Sequence, residues 1–211
     1  GCALYAFDDD RRPVLDSLGE MVITKPMPSM PVFFWNDPGK KKYHSSYFED
    51  IPGVWRHGDW VRITHDGGIV IYGRSDATLN RQGIRIGTAE IYRVLNEIPE
   101  IEDGLIVNLE LEGGRHYMPL FVKLRNGVVL DKDLITTIAK ALKSKCSPRH
   151  VPDEVIQVTD IPYTISGKKM EAPVKKILMG MEADSALNKD AMRNPESLQF
   201  FKLFEVPQEE G

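Results

Sequence analysis

The sequence predicts an α+β fold in two parts: a β-rich stretch over residues 1–75 and a compact α+β domain over 76–182, followed by a polar tail over 183–211. Three observations predict it. The first third is irregular and rich in aromatics, Pro and Gly, with apolar runs only long enough for strands. Two later segments, 88–98 and 131–145, repeat apolar residues at helical spacing. Strand-length runs bounded by turn residues separate these helices.

Residues 18–24 form the first clear strand signal, and the three prolines Pro26, Pro28 and Pro31 prevent its continuation because each removes a ladder donor. Residues 35–39 read as a turn, and Lys40, Lys41 and Lys42 as a solvated loop. Residues 59–63 and 69–72 are short strands joined by Asp66-Gly67-Gly68, a hairpin signal. The polar, glycine-punctuated segment 73–87 reads as a linker or site loop rather than core. Thr88 is placed to cap a helix whose face carries Ile91, Val94, Leu95 and Ile98, and Pro99 ends it. Strands over 104–111 and 117–124 follow as a hairpin, and Asn126-Gly127 turns the chain again. The helix over 131–145 carries Leu134, Ile135, Ile138, Ala139 and Leu142 as its apolar stripe. A short strand at 155–158, a loop at 161–167 and a helix at 172–181 with Pro173 in its first turn complete the domain. In the tail, Leu198, Phe200, Phe201, Leu203 and Phe204 form an apolar cluster expected to dock back.

Composition narrows the function. The 211 residues carry 27 basic and 31 acidic side chains, a net charge of −4, which argues against a nucleic-acid partner held by phosphate contacts. A hydrophobic content of 42% is enough to bury a core. No apolar run approaches the roughly 18 residues of a membrane span. The chain opens on Gly1-Cys2-Ala3-Leu4 without a basic stretch, so no signal peptide is expected, and it lacks an initiator Met, so a piece of a longer polypeptide is. Cys2 and Cys146 read as free thiols in a reducing compartment, and the five scattered histidines give no metal site.

Three stretches could carry chemistry. In Trp55-Arg56-His57-Gly58-Asp59-Trp60, a Gly-Asp pair enters a strand, and the Asp59 carboxylate can accept the two hydroxyl donors of a ribose; in isolation, a turn-capping aspartate explains it as well. Residues 73–87 set Arg74, Arg81 and Arg85 among glycines around Asp76, a composition that suits phosphate oxygens and also suits an exposed charged linker. Residues 162–170 place Lys168 behind Ser166-Gly167, where its ammonium can swing into a neighbouring cleft; a solvated basic loop is the plain alternative.

Taken in order, Gly-Asp, Gly-Arg-x-Asp, Gly-x-Arg-Ile, Glu-Ile and Ser-Gly-Lys resemble the adenylate-forming superfamily of acyl-CoA synthetases, luciferases and peptide-synthetase adenylation domains. The resemblance covers about 18–181. Asn80 and Gly87-Thr88-Ala89-Glu90-Ile91 look like the short-acyl synthetases. Ser147-Pro148-Arg149-His150-Val151-Pro152, Ile161-Pro162-Tyr163-Thr164, Gly167-Lys168-Lys169-Met170-Glu171 and the Asn-Pro-Glu-Ser run at 194–197 look like the acetoacetyl-CoA synthetases.

That resemblance implies the end of a large AMP-binding domain over 1–75, a mobile C-terminal lid domain over 76–182 and a C-terminal tail. It implies a cytoplasmic ligase of lipid and fatty-acid metabolism that joins acetoacetate to CoA through an acyl-adenylate. ATP, Mg2+ and CoA would be its cofactors or substrates, and the rest of its own chain its partner. By the same resemblance, Asp59 would hold the ribose hydroxyls, Arg74 and Arg85 would contact nucleotide oxygens, and Asp76 would be the hinge. Lys168 would serve adenylation, Gln82 and Gly83 would lie by the CoA tunnel, and Lys143 would meet CoA phosphates.

The superfamily's Ser/Thr/Gly-rich phosphate loop, its aromatic-Thr-Glu motif and its acyl pocket are absent from these 211 residues. The expectation is therefore a C-terminal portion that cannot adenylate alone. Ile98 stands where acetyl-CoA synthetases carry a His of a monovalent-metal site, so that site is not expected. Acetate, propionate or a carrier-bound amino acid as substrate, or a non-catalytic module built on the lid fold, are the competing readings.

Overall fold

The computed structural model describes residues 1–75, 77, 79–81, 84–183 and 189–207. The chain divides into two compact units, Gly1–Asp76 and Ala77–Gly211.

The first unit is an antiparallel five-stranded sheet. Its strands β1 (Leu4–Phe7), β2 (Pro13–Val14), β3 (Leu18–Ile23), β4 (Trp55–Ile63) and β5 (Ile69–Arg74) lie in the order β2-β1-β3-β4-β5. Ala6, Met21 and Val61 form its small core. Gly19 is required where β3 meets β1, because a Cβ there would come within 2.8 Å of the Phe7 carbonyl oxygen. The β4–β5 turn forms as its sequence predicts: Gly67 takes φ +85° and Thr64 N–H bonds to Gly68 O at 2.9 Å.

The three lysines after the Pro38-Gly39 turn are not a loop. Helix α1 (Lys41–Tyr47) begins there. Asp37 accepts hydrogen bonds from the N–H groups of Lys42 and Tyr43, which satisfies donors that a helix start leaves open. Phe34, Tyr43, Tyr47, Phe48 and Trp55 then meet edge to face or tilted, so aromatic packing holds a helix that the lysines alone would not announce.

The second unit opens with a hairpin of β6 (Leu79–Arg81) and β7 (Ile84–Ile86), then α2 (Thr88–Leu95). This corrects the reading of 73–87 as a linker: Leu79 and Ile86 are fully or almost fully buried, against α2 and the sheet behind it. Gly87, not Thr88, occupies the N-cap position of α2, and Thr88 is buried in its first turn.

A central sheet follows in the order β12-β11-β8, with β8 (Ile101–Ile106) antiparallel to β11 (Pro119–Leu124) and β12 (Glu154–Gln157) parallel to it. The small hairpin of β9 (Leu109–Glu110) and β10 (His116–Tyr117) interrupts the longer one expected from sequence. Strand alternation sorts the core. Leu120, Val122, Leu124 and Ile106 face α2 and α3 (Lys132–Lys145), while Phe121 and Leu105 face α4 (Glu171–Leu178) and α5 (Leu198–Leu203). Asp131 caps α3, its side chain accepting from Leu134 N–H at 2.8 Å, and Leu134, Ile138 and Leu142 are the buried part of its stripe. Ile135 remains exposed.

The apolar cluster of the tail does dock. Phe201 is buried with its ring centre 4.9 Å from that of Phe121, and Leu198 is buried beside it. Leu203 points outward.

Candidate functional site

In the first unit the site residues gather where β4 and β5 pair. Register sets Asp59 opposite Arg74, and a bulge separates this pair from the regular ladder beyond Trp60. Gly58 takes φ +84°, a left-handed conformation that suits glycine, and an added Cβ would meet Arg74 Nη2 at 3.0 Å. The Asp59 carboxylate is largely buried, with Arg74 Nη1 at 4.0 Å from Oδ1 and His57 Nδ1 on Oδ2. Arg74 Nη1 also donates to the His57 carbonyl at 3.4 Å.

Glu20 on β3 supports this corner from below. Its Oε1 accepts from Gly58 N–H at 2.9 Å and its Oε2 lies 3.4 Å from Arg56 Nε. Arg56 also pairs with Asp50 and donates to Ser75 Oγ at 3.4 Å. Burial works to lower the Arg56 pKa, but the negative charges of Glu20 and Asp50 outweigh it and raise the value. Of these groups the sequence singled out Asp59 and Arg74; Glu20 emerges only from strand pairing, whereas His57 meets Asp59 as a same-face neighbour two residues away on β4.

In the second unit the three cations occupy different elements. Arg85 lies on β7, Lys143 on the exposed side of the last turn of α3, and Lys168 in the loop before α4. Arg81, grouped with Arg74 and Arg85 by composition, is committed elsewhere. Its guanidinium donates to Val151 O at 2.7 Å and to Asp153 Oδ1 at 2.5 Å, so it ties the β6–β7 hairpin to the approach to β12. Asp76, Gln82 and Gly83 lie outside the described residues.

Lys168 is exposed at the end of a tight turn. Thr164 N–H donates to Lys168 O at 2.9 Å, Lys168 N–H donates to Thr164 Oγ1 at 3.0 Å, and Gly167 supplies φ +80° between them. The hydroxyls of Thr164 and Ser166 are 3.0 Å apart. The neighbouring Lys169 points the other way and is held by Asp103, a feature with no signal in sequence.

Near Lys143, Cys146 and His150 do not form a metal pair. The ring of His150 spans Glu90 Oε2 and Ser147 Oγ, each at 2.9 Å. Burial, then the charge of Glu90, pushes the Cys146 thiol up, which opposes thiolate formation. Both cysteines are free. Among the described residues, no three His, Cys, Asp or Glu side chains cluster as a metal site, and no helix is long and apolar enough to cross a membrane.

No family model matches the chain. It is 45% identical over 201 residues to acetoacetyl-coenzyme A synthetase of Rhizobium meliloti (strain 1021), covering 95% of this chain and 30% of that protein. It is 41% identical over 203 residues to the acetoacetyl-CoA synthetase of Rattus norvegicus, covering 96% and 30%. The chain thus spans about three tenths of the length of these curated relatives. Among solved structures, acetoacetyl-CoA synthetase from Streptomyces lividans superimposes with a TM-score of 0.89 at 47% identity, over 95% of this chain and 30% of that one. An anthranilate CoA ligase in complex with anthranoyl-AMP shares the fold at a TM-score of 0.67 and 20% identity, over 87% of this chain and 34% of that one. Over nearly its whole length the chain is thus similar, in sequence and in fold, to about three tenths of the acetoacetyl-CoA synthetases.

Proposed function

We propose that the chain is the C-terminal part of an ATP-dependent acid–thiol ligase that makes acetoacetyl-CoA. In the first half-reaction a carboxylate oxygen of acetoacetate attacks the α-phosphorus of ATP; the new acyl–phosphate bond forms as the bond to pyrophosphate breaks. In the second, the CoA sulfur attacks the acyl carbon, AMP leaves, and the thiol proton is released. The observation that carries this reading is the combination of a buried Asp59 carboxylate facing Arg74 with an exposed Lys168 on a turn-locked loop, in a chain similar to such ligases.

Each residue has a chemical task in it. Asp59 accepts the ribose hydroxyls; an ionised carboxylate offers about four lone-pair sites, so His57 does not exhaust it. Arg74 and Arg85 donate to nucleotide oxygens. Lys168 offsets negative charge at the α-phosphate as it develops. Lys143 meets CoA phosphates. Mg2+ would enter with ATP, on its phosphate oxygens.

The test uses the full-length enzyme that contains this chain. Lys168→Ala should lower acetoacetate-dependent pyrophosphate exchange by at least about a hundredfold and leave thioester formation from supplied acetoacetyl-AMP nearly unchanged. Equal loss of both half-reactions would overturn the assignment. Faster turnover of acetate or propionate than of acetoacetate would move the substrate to another short acid. The 211 residues alone should catalyse no exchange, and exchange by them would refute the dependence on further polypeptide.

A further inference from the structure

The second unit holds two adjacent lysines in opposite situations. Lys168 is exposed, whereas the Lys169 side chain is only 19% exposed. The Lys169 ammonium donates to Asp103 Oδ1 and to the Gly104 carbonyl, each at 2.5 Å, and lies 4.0 Å from the centre of the Tyr92 ring. These partners are themselves fixed. Asp103 Oδ1 also accepts from Gly104 N–H at 2.8 Å, and Oδ2 accepts from Tyr163 OH at 2.6 Å. The buried Tyr92 hydroxyl donates to Glu171 Oε1 at 3.0 Å and accepts from Ile106 N–H at 3.3 Å.

Tyr163 and Lys169 face each other as a β-bridge across the base of the loop. Both therefore end on one carboxylate, in the middle of β8. Arg193 covers the Tyr163 ring at 4.6 Å, and its N–H bonds to Tyr163 O at 3.0 Å. Asn194 Oδ1 accepts from Tyr163 N–H, also at 3.0 Å. The loop is thus clamped at its base and along its 163–165 arm, where Thr164 bridges Met192 and Ile165 N–H donates to Ala191 O at 2.9 Å, while the Lys168 side chain is exposed. Burial and the Asp103 carboxylate raise the Tyr163 pKa, so its hydroxyl stays a donor to Asp103 beyond the ordinary tyrosine range.

We propose that Lys169 is a positioning residue for Lys168: by anchoring the base of the 163–169 loop to Asp103 and Gly104, it sets where the Lys168 ammonium is delivered. A partly buried ammonium that satisfies a carboxylate, a carbonyl and an aromatic face fixes backbone geometry more tightly than an apolar side chain could. This inference rests on the reading of Lys168 as the adenylation lysine.

The experiment compares Lys168→Ala, Lys169→Met and Lys169→Arg in the full-length enzyme, measuring pyrophosphate exchange and thioester formation from acetoacetyl-AMP separately. Lys169→Met should lower the kcat of exchange by about tenfold to a hundredfold, leave KM for ATP unchanged and spare thioester formation. Lys169→Arg, which keeps the charge beside Asp103, should recover part of the loss. Normal exchange in Lys169→Met beside a crippled Lys168→Ala would overturn the inference and leave the functional reading intact. Normal exchange in Lys168→Ala would overturn that reading and this inference with it. Equal loss of both half-reactions in Lys169→Met would reduce the contact to scaffolding and overturn positioning. Should Lys169→Met fail to fold, Tyr163→Phe replaces it: it removes one tie to Asp103 and keeps the ion pair, and a loss confined to exchange supports the inference while unchanged exchange refutes it.

Discussion

Arg81 Nη2 sits 2.5 Å from Asp153 Oδ1, and the other oxygen of that carboxylate accepts the buried Met118 N–H at 2.8 Å. One aspartate therefore joins the β6–β7 hairpin to the central sheet. Asp153→Ala should destabilise the second unit by about 2–3 kcal/mol, because it strands a buried donor as well as the guanidinium. Arg81→Met should cost less, about 1 kcal/mol, because the partly exposed carboxylate keeps Met118 and water. Urea unfolding midpoints check the order; a larger effect of Arg81→Met would show that the Met118 bond contributes little.

Gly58→Ala tests the corner that holds Asp59. The substitution forces a side chain into φ +84° and to 3.0 Å from Arg74 Nη2. Backbone strain alone should cost about 1–2 kcal/mol. In the full-length enzyme, KM for ATP should rise as Arg74 is displaced, with thioester formation from supplied adenylate less affected. An unchanged KM for ATP would separate Arg74 from nucleotide binding.

Phe201→Ala tests whether the tail is part of the core. Its ring packs edge to face on Phe121 and is 1% exposed. Truncation should destabilise the second unit by about 3–5 kcal/mol. Calorimetry should show a lower Tm; a change below about 1 kcal/mol would mean the tail docks only loosely.

Asp160→Asn should flatten the acid limb of stability. Burial acts to raise the Asp160 pKa, but a hydrogen bond from Asn194 and the Lys123 ammonium at 3.2 Å outweigh it and lower the value below 3.8. A carboxyl depressed by folding stabilises the protein above its unfolded value and loses that contribution as pH falls through the folded one. The variant should thus be less stable than the parent at pH 7, with the gap closing below about pH 4. A gap independent of pH would assign the effect to packing instead.

Much of the fold was legible because periodicity reports burial directly. The α3 stripe, the Gly67 hairpin and the apolar tail cluster needed no partner to be recognised, whereas Asp131, read as part of the helix, proves to be its N-cap. Segment 73–87 misled because its charges and glycines hide two core residues, Leu79 and Ile86, in a hairpin too short for alternation to register. Helix α1 misled for the opposite reason: aromatic contacts made by residues up to Trp55 stabilise a start that reads as solvated.

The candidate site divides along the same line. Gly58-Asp59, Gly73-Arg74 and Ser166-Gly167-Lys168 stand out in the sequence because residue types that turns use, and that phosphate or ribose binding would use, lie close together in the chain. What sequence could not decide was which cations are already committed. Arg81 and Lys169 look, letter by letter, like any other cation of these loops. Only the folded chain brings Asp153 to the one and Asp103 to the other, because ion pairing depends on distance in space and these partners stand 72 and 66 positions away.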